Sequence, residues 1–394
     1  MKTMEKDGKL IIALDGRIDT NNALDTENAL LAELEAHSGA EPVFDAESLD
    51  YISSAGLRVL MKIRKICGKP IAVENVSREV YEIFKTTGFT DLLDVKKALR
   101  RISVDGCEKI GQGGNGTVYR LDEDKIVKVY KPWMKLREIE EERIFAKTAF
   151  VNGIPSVIAY DTVKVGDCLG IVFELINSDT LGHAMTEHPE KLEEYTDAFT
   201  ELAKKLHSTH VPKGSFASIK DVGHNTAENL KDICTPEEVA AMHRIIDSIP
   251  ESDTVVHNDL HPGNIMIQNG ELLLIDMQAV TTGPPICDLI GTFRDMIMAP
   301  DRSGELMQMT VGMPPELIKK AGNLFFMKYT GITDPKELEA YYKKLGLLYA
   351  FNISQLLGRN IESVMKRKDV ILEHVLRKIV IPNEQVICGL YRSM

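Results

Sequence analysis

VVHNDLHPGNIMIQNGELLLID, residues 255–276, sets histidines, asparagines and aspartates between runs of apolar residues. Asn269-Gly270, between MIQ and ELLL, is a strong short-range hairpin signal, because a tight two-residue turn wants φ > 0 at both positions. A turn centred there pairs Gln268 with Glu271 and Met266 with Leu273. Asn264 then falls opposite Ile275, one step from Asp276. The hairpin is thus expected to bring Asn264 and Asp276 to the same end of two neighbouring strands. Two oxygen ligands so placed, with room for phosphates and water, suit Mg2+. Asp259 precedes Asn264 in the loop entering the same strand, where it could take a hydroxyl proton beside the metal. His257 is expected to hold the loop by hydrogen bonds. His261 is either a substrate contact or a solvent-facing imidazole. A merely polar loop beside a hairpin would not call for carboxylates at both the loop and the strand end.

Upstream, GCEKIGQGGNGTVYRLDEDKIVKVYK carries Gly111, Gly113 and Gly116 as GxGxxG, with Val118 just beyond. A dinucleotide-binding βαβ unit needs a helix straight after the glycines. Here the strand TVYRL, a polar turn and the strand KIVKVY follow instead. A glycine loop between antiparallel strands covers phosphates with bare backbone, so these four residues are candidate nucleotide contacts. Lys128 lies mid-strand among Ile126, Val127, Val129 and Tyr130, where an ammonium is costly unless paired. In the helix LREIEEERIFAKTAF, Ile139, Ala146, Ala149 and Phe150 mark one face and Glu142 lies on it, while Glu141 is rotated away by about 100°. Glu142 is therefore the expected partner of Lys128, with Glu141 in reserve. LGIVFELINSDTL reads as a strand running into a linker, and by position an adenine would meet the backbone near Glu174 and Ile176. Trp133, after KP, is expected to fill a gap between lobes.

The totals bound these readings. At 394 residues the chain is too long for one ordinary domain. It is 44% hydrophobic and 27% charged, as globular proteins are. MKTMEKDGKL lacks the apolar core of a signal peptide, and no run is apolar enough to span a bilayer. Six cysteines show no CxxC pair or histidine-linked metal spacing, which suits reduced thiols in a cytoplasm. The net charge of −12 argues against nucleic acid or an anionic membrane as the main partner. Most of that surplus falls after Ile176, as an acidic face for a cationic substrate or as plain solvated surface.

The first hundred residues alternate short strands (KLIIALDG, PVFD, PIAVENV) with helical patterns (NALDTENALLAELEAH, AGLRVLMKIRKI, SREVYEIFKTTG). That order predicts an α/β domain, a small sheet with packed helices. In LDYISSAGLRVL, Ser53 and Ser54 stand where a strand end turns into a helix. They can serve as helix caps, or as phosphorylation sites on a helix N-terminus that favours a dianion. GRID near Asp19 and YISSAGL together resemble the STAS domain of bacterial anti-sigma-factor antagonists, over about residues 8–98. By that resemblance the phosphoacceptor position falls on Ser54, and the domain implies a protein partner. Ser53 replaces the acidic residue usual before that serine.

The spacing of His257, Asp259 and Asn264, followed by Ile275-Asp276, resembles the catalytic and metal-binding loops of the protein-kinase-like superfamily over about residues 105–300. IDMQAVTTGPPICDLIGTF lacks the glycine after the metal aspartate and the long activation segment of protein kinases. HNDLHPGN with LLLID and a nearby DL is similar to the aminoglycoside and choline kinase branch. The glycine loop is closer to the protein-kinase form. The resemblance implies ATP and Mg2+ as cofactors, Asp259 as the catalytic base, Asn264 and Asp276 as metal ligands, and Lys128 on the α- and β-phosphates. It makes His257 and Asp288 structural. The expected organisation is a STAS domain (1–98), a linker (99–106), and an α+β two-lobed protein-kinase-like fold. Its N-lobe spans 107–176 and its largely helical C-lobe 177–394. The expected activity is phosphoryl transfer to a hydroxyl of a small molecule, under a fused regulatory module. The alternatives are a protein kinase acting on Ser54 or a partner's serine, and a nucleotide-binding scaffold without turnover.

Overall fold

The alternation in KLIIA becomes a strand, β2 (Lys9–Ala13), with Leu10 and Ile12 fully buried. In this computed structural model it lies in a sheet ordered β1 (Thr3–Lys6), β2, β4 (Glu41–Asp45), β6 (Ala72–Val76) and β7 (Asp94–Lys97). β1 joins antiparallel and the rest run parallel, so crossover helices must link them. Those are α1 (Ala23–Ala36), α2 (Ser54–Cys67) and α3 (Arg78–Thr86). Their apolar faces cover a core of Leu10, Ile12, Phe44, Leu60, Val73 and Phe84. Two short strands, β3 (Gly16–Ile18), which the sequence pattern did not reveal, and β5 (Leu49–Ile52), the strand end expected before Ser53, form a parallel pair of their own. A side chain at Gly56 would put its Cβ 2.7 Å from Ile18 and from Ile52. Glycine lets α2 start this close to the pair, and that start carries Ser53 and Ser54.

The structure describes residues 1–6, 8–301, 308 and 310–394. Among the described residues no helix is long and apolar enough to cross a membrane, and the six cysteines are free thiols. The chain divides into two units, Met1–Ser103 and Val104–Met394. The stretch read as a linker over 99–106 contains a further strand, β8 (Arg100–Ile102).

The second unit begins with antiparallel strands β9 (Lys109–Gln112), β10 (Gly116–Arg120), β11 (Lys125–Tyr130), β12 (Ala159–Val165) and β13 (Cys168–Glu174). They lie in the order β12-β13-β11-β10-β9. One helix, α4 (Leu136–Val151), interrupts them. From α5 (Leu181–Glu187) onward the unit is largely helical: α6 (Leu192–His207), α7 (Ile219–Glu228), α8 (Pro236–Asp247), α9 (Ile286–Phe293), and helices at Pro315–Thr330, Pro335–Leu356 and Glu384–Ser393. Between α8 and α9 lie two small pairs. One is β14 (Val255–Val256) with β17 (Thr281–Thr282), the other β15 (Ile265–Gln268) with β16 (Glu271–Leu274). Phe199, Ala203 and Leu206 give α6 a buried face at helical spacing. The Phe199 ring stacks on Phe325 with centroids 4.5 Å apart, a contact worth about 1 kcal/mol beyond its burial. That packing seats His207, at the end of α6, beneath the loop described next.

Candidate active site

The Asn269-Gly270 turn forms with φ of 51° and 85°, and the register pairs Gln268 with Glu271 and Met266 with Leu273. The Ile275 N–H donates to the Asn264 carbonyl at 3.0 Å, so Asn264 and Asp276 stand at the same end of the hairpin. Asp276 itself turns left-handed, φ 60°, into the short turn Met277–Ala279.

Lys128 on β11 reaches this end from the other lobe. Its Nζ lies 2.8 Å from Glu142 Oε1 and 3.1 Å from Asp276 Oδ1. Burial pulls the ammonium pKa down, but Asp276 and Glu142 outweigh it, so the pKa is raised and the charge held. Glu142 is 2% exposed on a face of α4 shared with Ile139, Ala146 and Ala149. Phe150, expected on that face, is 51% exposed; it lies next to the last residue of the helix, one residue round from Ala149. Glu141 pairs at the surface with Arg137. β10 runs beside β11 with Gly116 opposite Tyr130 and Val118 opposite Lys128. A Cβ at Gly116 would come within 2.3 Å of the Val129 carbonyl oxygen, so the close approach there requires glycine. Gly113 donates its N–H to the Gly116 carbonyl at 2.9 Å, closing the loop that Gly111 enters. Asn115 at its tip donates to Gln278 Oε1 at 3.2 Å, just past Asp276.

The loop from β14 to β15 is held from below. Asp288 on α9 is fully buried and accepts from the backbone N–H groups of His257, at 2.8 Å, and Asn258. His207 Nε2 lies 3.0 Å from the same carboxylate, and its Nδ1 lies 2.7 Å from the Tyr329 hydroxyl. One turn on, Thr292 donates to the Leu260 carbonyl at 2.8 Å. The His257 ring meets the Ile275 carbonyl at 3.0 Å, tying loop to hairpin. Asn258 adopts φ 64°, a conformation asparagine tolerates, and its amide donates to Ala279 O and Thr281 Oγ1.

Asp259 points the other way, its side chain 40% exposed. Asn264 Nδ2 donates to its Oδ2 at 3.0 Å, and Arg294 Nη2 to its Oδ1 at 3.0 Å. His261 is buried; its Nδ1 accepts from the Gly263 N–H, leaving Nε2 toward Asp259 Oδ2 at 3.8 Å. Burial pushes the Asp259 carboxyl up, but His261 and Arg294 outweigh it and hold the group well below the usual carboxylate range. With its amide nitrogen given to Asp259, Asn264 keeps Oδ1 for another partner. Oδ1 and the Asp276 carboxylate are hard oxygen donors of the kind that could hold Mg2+. Glu142 Oε2 is buried with no hydrogen-bond partner, and burial pushes the Glu142 carboxyl pKa up.

At the exit of β13, the N–H groups of Glu174 and Leu175 are taken by Ile158 O and Asp124 O. The Glu174 carboxylate accepts from the Ile158 N–H at 2.6 Å, and Ile176 is buried. Any adenine edge must therefore use other backbone groups of this stretch. Trp133 fills no gap: it is 69% exposed, with Lys131 Nζ 5.3 Å from its ring. Arg294, Thr292 and His207 were not picked out from sequence. For Thr292, the i, i+4 spacing from Asp288 was a usable signal. In the first unit, Ser53 caps α2, its hydroxyl accepting from the N–H groups of Ala55 (3.2 Å) and Gly56 (3.4 Å). Ser54 is the first residue of the helix and exposed.

Residues 106–310 match the model of the phosphotransferase enzyme family, known as APH. The chain belongs to that family. Residues 1–102 match the STAS domain, and the first unit is a STAS domain. It is 37% identical over 98 residues to BtrV of Bordetella bronchiseptica, a protein named an anti-sigma factor antagonist, covering 24% of this chain and 83% of that one. Solved structures similar to this family member include the gentamicin complex of the phosphotransferase APH(2")-IIa (16% identity, TM-score 0.44, 77% of this chain and 98% of that one). A choline/ethanolamine kinase family protein from Mesorhizobium loti matches at 15% and 0.43 over 73% and 92%. Amicoumacin kinase hAmiN matches at 13% and 0.44 over 76% and 93%.

Proposed function

We propose that the second unit transfers the γ-phosphoryl group of ATP to a hydroxyl of a small molecule. The observation that carries this reading is the Lys128 ammonium, held between Glu142 of one lobe and Asp276 of the other. Lys128 so fixed would orient the α- and β-phosphates beneath the backbone of Gly111, Gly113 and Gly116, with Val118 and the stretch from Glu174 to Ile176 at the base. Asn264 Oδ1 and the Asp276 carboxylate would hold Mg2+, which when bound neutralises charge on the β- and γ-phosphate oxygens. Asp259 takes the acceptor's O–H proton while the acceptor oxygen bonds to the γ-phosphorus. The bond from that phosphorus to the β–γ bridging oxygen breaks, and ADP leaves with the electron pair. Asp259, Asp276, Glu142 and Asp295 outnumber Lys128 and Arg294 around the site, which favours a cationic acceptor. His257 and Asp288 act by bracing the loop. The test is phosphate transfer from Mg-ATP to a panel of hydroxylated amines, read by mass, for the protein and its Asp259→Asn variant. The variant should keep its nucleotide affinity and lose transfer; transfer at the parent rate would end the assignment of the base.

A second acceptor is favoured by the two serines at the start of α2, Ser53 as its cap and Ser54 as its first residue. Ser53 takes the capping role and leaves Ser54 exposed, so the Ser54 hydroxyl, of the same chain or a neighbour, is open to modification. A STAS unit so modified would change its hold on a protein partner through charge at the helix start. Intact mass after incubation with Mg-ATP decides: one added phosphate that maps to Ser54 and needs Asp259 favours this acceptor, and an unchanged mass rules it out.

A further inference from the structure

Among the described residues Arg294 is the one cation that reaches the Asp259 carboxylate from outside its loop, and its surroundings are built to hold it there. Nε donates to Asp295 Oδ1 at 2.7 Å, and Nη2 donates to Asp295 Oδ2 at 2.6 Å and to Asp259 Oδ1 at 3.0 Å. We infer that Arg294 is a positioning residue for phosphoryl transfer: anchored on Asp295, it sets the plane of the Asp259 carboxylate that receives the acceptor hydroxyl. This rests on the reading of Asp259 as the base.

Three observations support it. First, the two oxygens of Asp259 have different side-chain donors, Arg294 on Oδ1 and Asn264 on Oδ2. Donors on both oxygens fix the rotation of a carboxylate. An ionised carboxylate has about four lone-pair sites, so sites remain for an acceptor hydroxyl. Second, the anchor is stiff. Asp295 is buried, and swinging Arg294 away would leave that carboxylate unpaired in the interior, a costly state. A planar guanidinium can bridge two carboxylates in fixed geometry; an ammonium cannot do so in one plane. Third, the backbone departs from a regular helix at this residue. Arg294–Met298 is a π-turn, in which the Ala299 N–H reaches the Arg294 carbonyl at 2.8 Å. Such insertions are rare and concentrate at functional sites. A tie needed only for folding would be complete with Asp295, which is buried, whereas Asp259 is partly exposed and already has a donor in Asn264. The third contact joins the anchor to the reacting group.

The experiment uses the full chain and water as the acceptor: release of inorganic phosphate from Mg-ATP, with nucleotide affinity read from a fluorescent trinitrophenyl-ATP. Arg294→Ala should lower turnover about 10²-fold, the scale of a misplaced reacting group, with nucleotide affinity unchanged. Arg294→Lys, which keeps the charge and most of the stem, should recover part of the loss. In an Asp259→Asn background, Arg294→Ala should cost nothing further, because Arg294 acts through that carboxylate. Asp295→Asn, which frees the anchor, should reproduce part of the Arg294→Ala defect. Parent-like turnover in Arg294→Ala, beside an inactive Asp259→Asn, would overturn the inference and leave the base in place. A fall in nucleotide affinity matching the fall in turnover would also overturn it, by making Arg294 a structural tie. Parent-like turnover in Asp259→Asn would instead remove the base, and the role of Arg294 with it.

Discussion

Asp259, in the loop between β14 and β15, and Asp288, which braces that loop from α9, live under opposite rules. Asp288 lies below, fully buried, its oxygens taken by backbone N–H groups and by His207. Asp259 lies above, partly exposed, its oxygens met among the described residues only by side chains. Backbone donors cannot move without moving the chain, so the lower carboxylate sets where the loop runs. Side-chain donors can give way or share an oxygen, so the upper carboxylate stays open to an incoming hydroxyl. One residue type thus does two jobs, and the origin of its donors decides which.

The contrast can be broken in four places. Asp288→Ala should be the most damaging. It strands two backbone donors and an imidazole in the interior, costing about 4 kcal/mol of stability and all activity with it. Denaturant unfolding of the variant checks this, and a midpoint unchanged from the parent would remove the distinction between the two sides. Asp259→Asn should do the reverse, lowering transfer about 10³-fold while the unfolding midpoint falls less than in Asp288→Ala. Thr292→Val keeps the shape and removes one buried donor beneath the loop, and should cost about 1 kcal/mol in the same unfolding assay. The mildest test lies in the first unit, where adjacent serines repeat the contrast. Ser53→Ala should cost about 1 kcal/mol by losing the cap, whereas Ser54→Ala should leave thermal unfolding unchanged.

The sequence was most legible where a short stretch carries its own geometry. Asn269-Gly270 sets a register, and the register puts Asn264 beside Asp276 without reference to the rest of the chain. Lys128 and Glu142 were readable because a buried ammonium needs a partner and a helix face offered one. Legibility failed where distant packing decides. His207 reaches Asp288 from a helix whose position depends on Phe199 meeting Phe325, and no local pattern encodes that. Arg294 follows a regular helix into a π-turn, so helical spacing gave no guide to its direction. Phe150 and Trp133 were misplaced for a simpler reason. Apolar residues at the end of an element can stay in water, since a folded surface is itself more than half apolar. Strand β3, at three residues, is too short to show an alternation. The choice between Ser53 and Ser54 as cap needed the first helical residue, and one position decides it.

The amide contact from Asn115 to Gln278 gives the cleft a roof that touches its floor. It is exposed and neutral at both ends, so its net worth is about 1 kcal/mol. A latch that weak is undone by thermal motion many times within any turnover, and a nucleotide need not force its way in. What such a contact can do is set the resting height of the roof: lengthening or shortening the side chain at position 278 would change how wide the empty cleft stands, without touching a group that reacts.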